Sequence, residues 1–403
     1  MKLGYLVSQY PARTHTFVLR EVRALRSSGF EVCVVSVRSC DRPVAELSAD
    51  EAEEAMRTFS VLGAGRLHAL SANLRVLCRH PLSYLRGLLH AWSLSRGTPK
   101  LVARYTFYFL EAVIAGDYFE RQQVKYIHTH FSSTVLLLLA CIFRVRYSLT
   151  LHGPEEFANV VGFHVAEKVA GATFVATIAQ YGMSQVLHAC DPVHWQKVVM
   201  LPLGVDVDAY RRGSSPPRES GESFRLLSVG RLAAPKAYSI LIAAVALLRE
   251  RGRNVRLTLI GEGQQRALLE ELIARRGLGD LVRLTGALNH ERVMEYYKAS
   301  DAFVLSSFLE GVPVVLMEAM AMELPCIATW VTGIPEIIES GVDGLLVPPA
   351  SASALADAVG RLMDDPAAAR QLGSAARRKI ADKYHLERNV ARLADEFRSR
   401  LAG

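Results

Sequence analysis

Alternating apolar strands and amphipathic helices predict an α/β protein made of two doubly wound domains, each on a parallel sheet. The first observation is a repeated grammar. The chain opens with a strand at 3–7, a loop at 9–15, a helix at 16–27 and a second strand at 31–37. The same order returns with a strand at 224–229, a loop at 230–237, a helix at 238–251 and a strand at 256–260. The second observation is that both first strands end in a loop feeding a helix N-terminus, as in nucleotide-binding α/β folds. The third is length: 403 residues is two or three domains' worth of chain.

The remaining strands are expected at 126–128, 146–151, 174–178, 198–201, 282–285, 302–305, 326–329 and 344–347. The segment 211–222 is rich in Arg, Gly, Ser and Pro, as a linker or exposed loop would be. It puts the domain boundary between Pro202 and Gly213. A charged amphipathic helix at 386–401 closes the chain.

Composition narrows the function classes. Half the residues are hydrophobic and the mean hydropathy is +0.17, enough for a sizeable core and against a disordered chain. Net charge is +7 with a pI near 9.1, which favours anionic partners such as phosphates, nucleic acid or an acidic membrane face. Six cysteines lack C-x-x-C spacing, so neither a zinc site nor a disulfide framework is expected, and a reducing compartment is the default. The N-terminus reads as a first strand and not as a signal peptide. No uncharged apolar run reaches about 18 residues, so no membrane span is expected and the cytoplasm is the expected location.

One stretch differs in composition. Residues 55–110 hold no Asp or Glu but carry Arg57, Arg66, Arg75, Arg79, Arg86, Arg96, Lys100 and Arg104 among leucines, Tyr84 and Trp92. Two or three basic amphipathic helices follow. They can lie on an anionic membrane surface, or they can be packing helices with a solvated basic face. The stretch has no nucleic-acid reading motif, so nucleic acid is not an expected partner.

The most informative motif is Glu310-Gly311-Val312-Pro313 with Glu318 eight residues beyond the first Glu. Strand, glycine turn and helix aim backbone N–H groups at a negatively charged ligand. Carboxylates accept from hydroxyl pairs, so Glu310 in the turn and Glu318 in the helix suit a sugar and a ribose. The alternative is one solvated and one capping Glu. A second motif is Gly230-Arg231-Leu232-Ala233-Ala234-Pro235-Lys236-Ala237. Gly230 allows a tight turn, and Arg231 and Lys236 set two cations beside a helix N-terminus, which suits a diphosphate. Gly261-Glu262-Gly263 follows a strand but lacks the third glycine of a dinucleotide site, so a plain strand-to-helix turn competes with nucleotide contact at Gly261.

In the first half, His152 stands before Gly153-Pro154 at a strand end, where ligand loops emerge. His128 and His130 are expected on opposite faces of their strand, which weighs against joint metal binding. Asp206-Val207-Asp208 has the D-x-D pattern of metal-dependent sugar transferases, but its place at the inter-domain turn reads Asp206 as a capping residue. No metal site is expected.

Together these motifs resemble the retaining nucleotide-sugar glycosyltransferases of glycosyltransferase family 4, which have the GT-B fold. The likeness spans nearly the whole chain and is most specific from Glu310 to Ala319. It implies that Glu310, with Gly311 and Val312, holds the donor sugar, that Glu318 holds the ribose, and that Arg231 and Lys236 hold the diphosphate. His152 matches a His that contacts the donor sugar. Pro202-Leu203-Gly204-Val205-Asp206 looks like the family's inter-domain turn. Tyr10-Pro11, Thr14, Thr16-Phe17-Val18 and Glu21, with Ala176-Thr177-Ile178-Ala179-Gln180-Tyr181-Gly182, resemble the subset acting in colanic acid and other exopolysaccharide assembly. Thr14 and Thr16 fall on the acceptor side. Ala237 departs from the family, whose members usually have Gly there.

The expected architecture is therefore two Rossmann-like domains facing across a cleft. They are 1–203, joined by the returning helix 386–403, for the acceptor, and 204–385 for the donor. The expected reaction moves a hexosyl group from a nucleotide-diphosphate sugar (UDP or GDP) to a saccharide or polyprenyl-linked saccharide. No cofactor or metal is expected, because the nucleotide sugar is a substrate. Rival readings are a GT-B epimerase or hydrolase and a non-catalytic nucleotide-sugar-binding regulator.

Overall fold

In the computed structural model, residues 1–211 and 222–401 are described, and most of the linker expected at 211–222 lies outside them. The chain forms two compact units, Met1–Pro202 together with residues from Val390 onward, and Leu203–Asn389.

The first unit holds β1 (Lys2–Gln9), β2 (Glu31–Arg38), β3 (Phe59–Ser60), β4 (Tyr126–His130), β5 (Arg146–Leu151), β6 (Phe174–Thr177) and β7 (Val198–Met200). They pair in parallel in the order β3-β2-β1-β4-β5-β6-β7. The chain order reverses between β1 and β4, and ligand crevices of doubly wound sheets open at such reversals. β1 and β2 read as largely apolar runs, and every residue of β4 is buried, because helices cover both faces of the sheet.

Residues 55–110 supply most of the three helices Arg66–Arg79, Pro81–Leu94 and Pro99–Arg121. Pro81 and Pro99 sit at helix starts, where a missing N–H costs nothing. Their inner faces bury Ala72, Val76, Ala91, Leu94, Tyr105 and Phe109 in the core that also holds Leu6 and Val35. Arg75 reaches the fully buried Asp117 through Nη2 at 2.8 Å. The last helix, Leu386–Leu401, seats the fully buried Phe397 against Phe30, Phe174 and His128, with ring centroids 6.1, 5.6 and 5.3 Å away.

The second unit holds β8 (Phe224–Val229), β9 (Val255–Ile260), β10 (Val282–Gly286), β11 (Ala302–Leu305), β12 (Cys326–Thr329) and β13 (Leu345–Val347), parallel in the order β10-β9-β8-β11-β12-β13. It repeats the topology of the first sheet, with its reversal between β8 and β11. The Gly204 backbone lies so close to Leu386 that a β-carbon would sit 2.5 Å from its Cα. That approach lets Val205 bond to the carbonyl of Tyr384 at 2.9 Å. Asp206 caps this turn, its Oδ1 accepting from the N–H groups of Asp208 and Ala209 at 3.1 and 3.2 Å.

Candidate active site

In the second unit, the loops leaving β8 and β11 meet at the reversal. They are joined by Phe308 N–H to the Pro235 carbonyl at 2.7 Å, Ser306 Oγ to the Lys236 and Ala237 carbonyls at 2.9 and 3.2 Å, and Lys236 Nζ to Glu310 Oε1 at 2.5 Å. Ser307 Oγ donates to the same Glu310 oxygen at 2.6 Å, and Glu310 N–H donates to Thr332 Oγ1 at 3.1 Å. Glu310 is thus gripped through both side chain and backbone, with its side chain 10% exposed and that of Lys236 20% exposed. Gly311 and the buried Val312 follow, and the helix Val314–Ala321 begins directly after Pro313. Arg231 is exposed on the β8 loop. Ala237 adopts a left-handed φ of 50° before the helix Tyr238–Glu250, a conformation that favours Gly and accounts for the glycine usual at this position.

Gly261 and Gly263 brace the β8 loop. A β-carbon on Gly261 would lie 1.9 Å from the Gly230 carbonyl oxygen, and one on Gly263 would lie 2.3 Å from that of Leu232. The Gly261 N–H already donates to Gly286 O at 3.0 Å. The amide of Gly261 is therefore engaged within the fold, and the residue acts on the loop through its missing side chain.

Glu318 does not share its partners with Glu310. Its carboxylate accepts from the Tyr210 hydroxyl and from Tyr297 Oη, the latter at 3.2 Å. Burial, and then the Glu318 charge, push the Tyr297 hydroxyl well above the usual tyrosine range. The Arg377 guanidinium binds the carbonyls of Val207, Tyr210 and Ala321, fixing the segment that carries Tyr210. Ser307, Thr332, Tyr210 and Tyr297 are the residues that sequence reasoning missed. Ser307 stands three residues before Glu310, beside the named motif, whereas Thr332 and the two tyrosines lie outside it.

In the first unit, the ends of β1, β4 and β5 gather His15, Phe17, Phe131, His130 and His152. Phe131 stacks between His15 and His152, at centroid distances of 4.5 and 4.4 Å, and Phe17 lies 5.0 Å from His152. His152 Nε2 is 2.7 Å from His130 Nδ1, and His130 Nε2 is 2.9 Å from Glu21 Oε1. Burial first, and then the neighbouring imidazoles, push the His152 ring well below the ordinary histidine range, so it is neutral near pH 7. The backbone N–H of His152 donates to Glu156 Oε2 at 3.0 Å. Thr16 opens the helix Thr16–Ser27 beside this group, and the side chain of Thr14 lies outside the described residues.

One expectation is corrected. His128 and His130 share a face of β4, their rings 4.9 Å apart, because residues two apart on a strand point the same way. With Glu21 they form a cluster whose ligand atoms lie within 4.8 Å of one another. Each ring nitrogen already has a partner: Ser148 and Thr150 hydroxyls for His128, Glu21 and His152 for His130. The cluster is therefore a hydrogen-bond network in which each imidazole nitrogen is satisfied.

No helix among the described residues is long and apolar enough to cross a membrane. The outer faces of two helices are nevertheless apolar. Leu67, Leu70, Leu74 and Leu77 form an exposed stripe on Arg66–Arg79, and Leu82, Leu85, Leu89 and Trp92 form another on Pro81–Leu94. Leu67 and Leu82 are 85% and 82% exposed.

Residues 214–379 match the family model described as glycosyl transferases group 1. The amylovoran biosynthesis glycosyltransferase AmsK of Erwinia amylovora is 26% identical over the full length of both chains. The alpha-D-kanosaminyltransferase of Streptomyces kanamyceticus is 38% identical over 43% of this chain, a match that spans 45% of that relative. Among solved structures, HepE of Anabaena in complex with UDP superposes with a TM-score of 0.72 at 18% identity, covering 99% of this chain and all of that one. The repeated Rossmann-like topology, the two loops joined at the β8–β11 reversal and these likenesses converge: the chain is a glycosyltransferase of GT-B fold, with residues 214–379 matching the glycosyl transferases group 1 model.

Proposed function

We propose that the protein transfers a hexosyl group, with retention of configuration, from a nucleotide-diphosphate sugar to a saccharide or lipid-linked saccharide during synthesis of an exopolysaccharide or other surface glycan. The observation that carries this reading is the Lys236–Glu310 pair at the β8–β11 reversal. It sets a cation for phosphate and a carboxylate for sugar hydroxyls at one point, beside the N-termini of two helices.

In the reaction, the bond from the sugar's anomeric carbon to the diphosphate breaks and the bond to the acceptor oxygen forms on the same face. The leaving diphosphate takes the acceptor's proton. Arg231, Lys236 and the start of the helix Tyr238–Glu250 offset the charge growing on the diphosphate. Glu310 holds donor hydroxyls, with Gly311 and Val312 forming the adjoining turn. Glu318, oriented by Tyr210 and Tyr297, accepts from the ribose. His152 meets the transferred sugar, and Thr14 and Thr16 lie on the acceptor side.

Uridine diphosphate is the first donor base to test, given the UDP complex of the structural neighbour, and guanosine diphosphate the second. The amylovoran relative supports a glycan-building role. The two leucine stripes, flanked by exposed Arg66, Arg79 and Arg86, support peripheral attachment to an anionic bilayer, on the inner face of the cell membrane, where a polyprenyl-linked acceptor would be met.

A thermal-shift screen against uridine, guanosine and adenosine diphosphates and their sugar conjugates tests the reading. A ligand at a hundredfold excess over its dissociation constant stabilises the fold by about 2.7 kcal/mol. A shift with one base, followed by acceptor-dependent release of that diphosphate, is the expected result. No shift with any nucleotide would refute it.

A further inference from the structure

Glu21, His130 and His152 form a continuous buried chain that links the helix Thr16–Ser27, β4 and the β5 loop. Glu21 Oε1 accepts from Tyr5 Oη at 2.8 Å and faces His130 Nε2 at 2.9 Å. A carboxylate only accepts, so the proton of His130 is on Nε2. With Nε2–H as its one ring proton, His130 presents a bare Nδ1, and across the 2.7 Å contact His152 Nε2 donates to it. A neutral His152 is left with an unprotonated Nδ1.

The surroundings reinforce this order. His128, 4.9 Å from His130, has its nitrogens occupied by Ser148 Oγ at 2.7 Å and Thr150 Oγ1 at 3.0 Å, so it does not compete for either end of the chain. The Tyr5 ring lies stacked 5.9 Å from His130, and Phe131 and Phe17 enclose the His152 ring. Among the described residues, Phe131 and Phe17 pack on the His152 ring, and neither supplies a second hydrogen-bond partner that would turn it over.

We propose that Glu21 and His130 are positioning residues that lock His152 in its Nε2–H tautomer, so that His152 Nδ1 accepts a hydrogen bond from a hydroxyl of the transferred sugar. The sugar's part in this rests on the function proposed above; the tautomer does not. The chain gives this histidine one role, acceptor, where a freely rotating imidazole could donate or accept.

The test uses the full chain with ¹⁵N-labelled histidine. Long-range proton–nitrogen correlation reads the protonated nitrogen of His152, assigned by its loss in His152→Asn. Two substitutions separate the contacts. In His130→Asn the amide oxygen lies near the place of Nδ1 and still accepts from His152. In His130→Gln the longer side chain carries its amide to the place of Nε2, keeping Glu21 company and leaving His152 without an acceptor. Glu21→Gln, which conserves shape and removes the charge, is the second route if either His130 variant fails to fold.

The expected result is an Nε2–H His152 in the wild type and in His130→Asn, and mixed tautomers in His130→Gln and Glu21→Gln. The Michaelis constant for the nucleotide sugar should rise at least fivefold in His130→Gln relative to His130→Asn, with the thermal shift by the free nucleotide diphosphate unchanged. A His152 protonated on Nδ1 in the wild type overturns the proposal. So does a mixed tautomer in His130→Gln with no change in sugar kinetics, because the chain would then be structural only. Absence of any nucleotide shift in the wild type would instead sink the function proposed above, leaving the tautomer measurement intact.

Discussion

Breaking the Lys236–Glu310 pair should cost stability unequally, depending on which partner is removed. The contact is 2.5 Å long, and its side chains are 20% and 10% exposed. Removing one partner of a fully buried pair costs about 3–5 kcal/mol, mostly because the other charge is stranded. Here Ser307 still donates to Glu310, which brings the cost of Lys236→Met to about 2 kcal/mol. Glu310→Gln should cost about 1 kcal/mol, because the flexible lysine stem can carry its ammonium to water. In a unit the size of Leu203–Asn389, 1 kcal/mol moves the midpoint by about 2–4 °C. Lys236→Met should therefore lower Tm by about 4–8 °C and Glu310→Gln by about half as much. Urea unfolding of both single variants and the double variant gives the coupling energy, expected near 1 kcal/mol. A coupling within error of zero, or a Glu310→Gln variant weaker than Lys236→Met, would refute the reasoning. The same variants report on ligand binding. Glu310→Gln should bind the free nucleotide diphosphate as tightly as the wild type or tighter, since Lys236 loses its competing partner, while Lys236→Met should bind it more weakly.

Ala237→Gly should raise stability by about 1 kcal/mol, because it relieves a left-handed alanine; an unchanged or lower Tm would contradict this. Gly261→Ala should destabilise the second unit and weaken nucleotide stabilisation, because a β-carbon would meet the Gly230 carbonyl oxygen; differential scanning fluorimetry with and without the diphosphate reads both effects. Lys168, only 2% exposed, has its ammonium pushed down to about 8 by burial. The unfolded chain binds the extra proton between that value and the ordinary lysine pKa near 10.4, so the handicap is full below pH 8 and fades as pH rises through this window. The stability of the wild type relative to Lys168→Met should thus rise from pH 8 toward pH 10.5, by about 3 kcal/mol at most; a flat difference would show that burial does not govern this lysine. Replacing Leu67, Leu70, Leu82 and Leu85 with Gln should abolish flotation with anionic liposomes and leave Tm within about 2 °C, since these side chains are exposed. Equal flotation with neutral lipid would remove the electrostatic part of the membrane proposal.

The sequence by itself determined the alternation of elements, because the apolar period and the glycine and proline punctuation are local signals. The helices Thr16–Ser27 and Leu386–Leu401 and the strands Arg146–Leu151, Phe224–Val229, Ala302–Leu305 and Cys326–Thr329 stand at the expected bounds. The loops carrying Lys236 and Glu310 were legible too, since each motif is contiguous in the chain. Only the tertiary structure decided partnerships. Lys236 and Glu310 are 74 residues apart, Tyr210 and Glu318 are 108 apart, and Glu21 and His130 are 109 apart. Strand order brings each pair together, and no local pattern records it. The exposure of the leucine stripes was likewise hidden: helical spacing marks an apolar face, but which face the core takes is settled by packing, and here Ala72, Val76 and Ala91 turn inward while the leucines remain outside.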